Sequence, residues 1–88
     1  MTDNEATRTI FRKFPDGEVI ALFPDIIAGM NGEILDYVHL GQHGQADYDY
    51  VMSITLPATP KEFKPLLDEL TNQVGYHCFI VNRKEDIL

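Results

Sequence analysis

A capping box, Thr59-Pro60-Lys61-Glu62, marks the start of a helix more sharply than anything else in the chain marks an element. In such a box threonine and glutamate each take a backbone N–H that helix geometry leaves unbonded, and proline at the first helical position arrives with its φ already set. Behind it Phe63, Leu66, Leu67, Leu70 and Val74 recur at helical spacing, and Gly75 offers the left-handed residue that closes a helix. The spacing predicts one amphipathic helix, with a kink or a late start at Pro65, which has no N–H to donate. Elsewhere Pro15, Gly17, Pro24, Gly29, Gly32, Gly41, Gly44 and Pro57 cut the chain into runs of strand length. A single long helix among short strands makes an α+β chain.

The first strands are equally legible. Thr9 to Phe14 and Glu18 to Phe23 are β-prone runs joined by Pro15-Asp16-Gly17, which reads as a hairpin with a three-residue loop and a glycine at positive φ. Pro24 is expected to end the second strand. A connector over Asp25 to Met30 and an Asn31-Gly32 turn lead to a third strand, Glu33 to Leu40. Its alternation puts Ile34, Asp36, Val38 and Leu40 on one side and Leu35, Tyr37 and His39 on the other. Gly41-Gln42-His43-Gly44 reads as a loop, because paired glycines disfavour regular structure. Residues 47–55 fit either a strand or a short helix. The helix is favoured because Asp47 can cap it and Asp49 suits its first turn. Tyr76 to Arg83 closes the fold as a last strand that must pair with one of the first three. The expected order is β-β-β-α-α-β: a small, mostly antiparallel sheet of about four strands, with the capped helix packed on one face. Residues 1–88 make a single small domain, frayed over 1–6 and 84–88.

Charge narrows function more than composition does. Fourteen acidic against seven basic residues leave a net charge of −7, and no lysine or arginine falls between Lys13 and Lys61. That stretch holds Asp16, Glu18, Asp25, Glu33, Asp36, Asp47 and Asp49, a field that repels phosphate and argues against direct nucleic-acid binding. No apolar run approaches the roughly 18 residues of a membrane span, so no membrane association is expected. The N-terminal MTDNEATRT lacks the basic and apolar regions of a secretory signal, and the lone Cys78 has no internal disulfide partner. Both point to a cytoplasmic protein.

The densest polar stretch runs from His39 to Tyr50. His39, His43 and Asp47 have the composition of a metal site, as an alternative to a structural role, but the glycines between them oppose the helix that would converge two histidines four apart. His43 with Asp47 or Asp49 could serve as an acid–base pair, although crowded carboxylates would not tune it to one specific step. His77 and Cys78 are neighbours on a strand and point to opposite faces, so they cannot act together as base and nucleophile. No phosphate loop, dinucleotide fingerprint or nucleophile elbow is present. Catalysis and a cofactor are therefore not expected. Tyr48 and Tyr50 alternate with Asp47 and Asp49, and tyrosine beside carboxylate suits a surface that receives a basic protein. The candidate partner-binding set is Asp36, His43, Asp47, Tyr48, Asp49 and Tyr50.

Ile10-Phe11-Arg12-Lys13-Phe14, Gly17 to Pro24, Gly41-Gln42-His43-Gly44 with Ala46-Asp47-Tyr48, and Pro57-Ala58-Thr59-Pro60 together resemble a group of small proteins from bacterial genomes, phages and other mobile elements. The resemblance spans most of residues 8–83. The group has no assigned activity, and the likeness implies only the setting of a short accessory protein that acts by binding. The expectation is a non-enzymatic binding protein, monomer or homodimer, that inhibits a basic, nucleic-acid-handling host or defence protein, anti-CRISPR-like in size and charge alone. The alternatives are a metal-binding or metal-dependent hydrolase module on His39, His43 and Asp47, and a structural subunit that assembles through the edge of its first or last strand.

Overall fold

The computed structural model describes residues 6–38 and 42–86. Six strands form one mixed sheet: β1 (Thr7–Lys13), β2 (Val19–Ile27), β3 (Ile34–Val38), β4 (Gln42–Ala46), β5 (Leu56–Pro57) and β6 (Cys78–Ile80). Helix α1 (Tyr48–Ile54) lies between β4 and β5, and α2 (Pro60–Glu69) continues into a π-helical turn, Leu70–Val74, before β6. The strands run in the order β4-β3-β2-β1-β5, and β6 also pairs with β1. The class is α+β and most pairings are antiparallel, as expected, but the sheet holds more strands than about four.

The hairpin forms as its turn chemistry dictates. Phe14 and Glu18 close the loop, Gly17 takes φ 92°, and Lys13 pairs with Val19. Pro24 does not end β2. The register jumps from Phe23 opposite Leu35 to Ile27 opposite Ile34, so the proline sits in a wide bulge where no ladder N–H is required of it, and part of the expected connector is strand. The expected loop at 41–44 is also corrected. Gln42–Ala46 is β4, antiparallel to β3. Gly44 fits there because a Cβ would come within 2.9 Å of the Asp36 carboxylate lying across it. Gly41, with His39 and Leu40 at the expected end of the third strand, lies outside the described residues.

Residues 47–55 choose the helix: Asp47 caps α1 by accepting from the Tyr50 N–H. The capping box of α2 is complete. Pro65 does not delay the helix, which runs from Pro60 to Glu69. Both Pro65 and Lys61, whose carbonyl lacks its helical donor, are exposed, so water can fill the missing bond. The irregularity comes later. The Gly75 N–H bonds the Leu70 carbonyl with Gly75 at φ 98°, and this wider turn swings Val74 off the apolar face into solvent.

Both faces of the sheet are covered, and the capped helix packs on one of them, as expected. On the first, Ile10, Ile20, Leu22, Ile34 and Ala46 pack with Val51 of α1 and with Val81. On the second, Phe11, Ala21, Phe23 and Tyr37 pack under Phe63, Leu66 and Leu70. Phe11 stacks on Phe63 and Phe23 on Tyr76, with centroids 4.4 and 4.7 Å apart. The expected last strand shrinks to Cys78–Ile80 and pairs with β1 in parallel. Cys78 is half-buried against the second cluster, where burial pushes its thiol pKa up. The first strand is not an edge: β6 takes Thr7 to Thr9 and β5 takes Arg12 and Lys13 on its outer side. Part of the expected C-terminal fray is anchored as well, since Arg8 donates to the carbonyls of Lys84 and Asp86 while gripping Asp25. No described helix is long and apolar enough to cross a membrane.

Candidate functional site

The N-terminus of α1 and the Asn31-Gly32 turn come together because β3 and β4 run side by side, Ile34 facing Ala46. Between them lies a groove of about 450 Å³ lined by Asn31, Gly32, Glu33, Asp47, Tyr48, Asp49 and Lys84. Its three carboxylates belong to the stretch without basic residues. Of the acidic residues from Asp16 to Asp49, Asp25 alone has an ion-pair partner among the described residues. Local structure holds the groove's acids instead. Glu33 accepts from the Asn31 N–H and packs where a Cβ on Gly29 would collide with it, Asp47 caps α1, and Asp49 stands in the first turn. The α1 N-terminus favours both aspartates by its dipole.

One wall is Tyr48, half-buried against the first core cluster. Its hydroxyl accepts from the Lys84 N–H at 3.0 Å, and the Lys84 ammonium lies 4.8 Å from its ring centroid. A cation from the chain's own C-terminal segment thus already rests on this aromatic face. Tyr50, next in sequence to the groove's Asp49, is exposed and does not line the groove.

The other expected site residues lie elsewhere. Asp36 is half-buried across Gly44, and burial pushes its carboxyl pKa up, against the pull of His43 and the Gly44 amide. His43 faces the opposite side of the sheet, its ring edge-on to Tyr37 at 4.8 Å and its Nε2 3.3 Å from the Tyr76 hydroxyl. Asp47 is engaged as the cap of α1, accepting from the Tyr50 N–H. His39 lies outside the described residues, and no three His, Cys, Asp or Glu side chains gather in metal-holding proximity among the described ones.

Sequence reasoning missed Glu33, Asn31 and Lys84 as groove residues, because only pairing of β3 with β4 and the return of the C-terminal segment unite them. It also missed a buried acid. Glu69, on the sheet side of α2, accepts from the buried Tyr37 hydroxyl. Its spacing of three from Leu66 was the available signal. No family profile, curated protein or solved structure matches the chain.

Proposed function

We propose that the protein is a small, non-enzymatic docking module that receives a basic protein segment in the groove of Glu33, Asp47, Tyr48 and Asp49, with Tyr50 adding contact area at its rim. The observation that carries this reading is the Lys84 ammonium on the Tyr48 ring beside carboxylates that have no ion-pair partner among the described residues. An incoming lysine or arginine would find the same aromatic face and the same charge. Asp36 and His43, off the groove, are not part of the proposed contact. The partner class is a cytoplasmic protein with a basic surface, such as one that handles nucleic acid, and the setting is that of a phage or mobile-element inhibitor.

Reversing all the acids would confuse binding with folding, since Asp47 caps α1. Asp47→Ser combined with Asp49→Ser and Tyr50→Ala removes two of the groove's three carboxylates and the Tyr50 ring while keeping a capping hydroxyl. Capture from host lysate should give a stoichiometric basic protein with the wild type and lose it with this variant, at an unchanged melting temperature. Equal capture by both proteins would overturn the assignment.

A further inference from the structure

The two edges of the sheet are built differently. On one side, the outer edge of β1 is divided between β6, three residues long, and β5, two residues long and ending in Pro57. Short strands and proline are the usual protection of an edge against pairing with another chain. The other edge is β4, five residues with no charge, no proline and no bulge, and no described strand pairs with its outer side. An unprotected edge of that length presents a row of backbone donors and acceptors to an incoming strand.

We propose that β4 pairs antiparallel with β4 of a second copy of this chain, joining two sheets across a two-fold axis at Gly44. Such an axis, normal to the sheet, keeps each face on its own side, so residues can oppose each other only if both point to the same face. Centred on Gly44, all five residues find partners: Gly44 meets Gly44, His43 meets Gln45 and Gln42 meets Ala46 of the second copy. His43 and Gln45 both project to the α2 side, and each gains a polar neighbour.

Charge opposes a second copy at β4 less than the net charge suggests. A chain of net charge −7 repels itself wherever carboxylates meet. The two-fold carries the two Asp47 residues to opposite ends of the joined strands, roughly 20 Å apart at strand spacing. That exceeds the screening length of about 8 Å at physiological salt. At the same end as Asp47, the exposed Ile27 and Met30 line a hollow with Gln45, and the Gln42 end of the second copy is brought alongside it. Asp36 is the one carboxylate left near the axis, lying over Gly44, and it opposes the pairing.

A single strand pairing buries little area, so the association is weak and reversible. Sedimentation equilibrium of the wild type should show a monomer–dimer equilibrium in the high-micromolar range. Asp36→Asn should tighten it several-fold, and Gln42→Glu with Gln45→Glu should weaken it about ten-fold or more, with unchanged melting temperature. Amide exchange supplies a test without any variant: protection of the Gln42–Ala46 amides should rise with protein concentration while that of β5 and β6 stays constant. The proposal fails if wild type and Asp36→Asn are both monomeric at every concentration. It also fails if a dimer persists undiminished in the Gln42/Gln45 variant, or if exchange at β4 is independent of concentration. None of these readings depends on the acidic groove.

Discussion

Among the described residues each face of the sheet buries one charged side chain, and the two are held by opposite means. On the α1 face Arg12, 8% exposed, reaches up to the end of the helix and donates to the Thr55 hydroxyl and to the carbonyls of Met52 and Thr55. On the α2 face Glu69, 7% exposed, is itself part of the helix and reaches down to a hydroxyl of the sheet. The reason lies in how each helix ends. Helix α1 is seven residues long, with no basic residue in its last turn and no closing glycine, so its last carbonyls need a donor from elsewhere. Arg12 supplies both the donor and the positive charge that the C-terminal dipole favours, against a burial that lowers its own pKa. Helix α2 closes itself, through the π-helical turn and Gly75. One helix depends on a residue distant in sequence; the other carries its own start and stop signals.

That contrast can be broken first at Arg12. Arg12→Met should cost about 3 kcal/mol in urea denaturation, since it strands the α1 carbonyls and the Thr55 hydroxyl together, and α1 amides should lose protection before those of α2. A loss under about 0.5 kcal/mol would mean that α1 does not need its distant cap. On the other face, Tyr37→Phe should cost about 2 kcal/mol by taking a hydroxyl donor from the buried Glu69. Tyr37→Phe with Glu69→Leu should cost less than the sum of the two single changes, because the two groups share one buried bond. Gly75→Ala should cost about 1 kcal/mol. A Cβ there meets nothing within 4 Å, so the cost is the backbone conformation at φ 98° alone.

The smallest effect concerns pH. Glu62 is held at a pKa of about 2, below its ordinary 4.5, first by the Lys13 ammonium and then by the Thr59 N–H of the capping box. Its folded pKa is depressed, so its contribution is complete above pH 4.5 and fades as pH falls towards 2. Glu62→Gln should flatten the acid limb of the stability profile over that window, as read by thermal melts at stepped pH. An unaltered limb would place the acid sensitivity in other carboxylates.

Legibility followed the same divide. The hairpin around Pro15-Asp16-Gly17, the capping box, the closure at Gly75 and the cap at Asp47 were all readable, because each is settled by bonds within a few residues. The candidate site was readable in part. Asp47, Tyr48 and Asp49 do line one groove, while Asp36 lies off it, over Gly44 on the α1 face, and His43 faces the other side of the sheet. Alternation placed Asp36 and Tyr37 on opposite sides of β3, but which side would carry the groove depends on where α1 returns.

The sequence by itself determined the local elements, the α+β class and an acidic surface without internal counter-charges over its middle third, since turns, caps and charge balance are properties of neighbouring residues. Tertiary structure alone decided that Gln42–Ala46 would be a strand. Two glycines argue against it locally, but pairing with β3 satisfies its backbone, and the absence of a side chain at Gly44 leaves room for the Asp36 carboxylate. It alone decided, too, that Arg12 would close a helix some forty residues away and that Lys84 would lie on Tyr48. Contacts between residues so far apart in the chain arise only once the sheet has fixed which faces meet, and no window of sequence contains both partners.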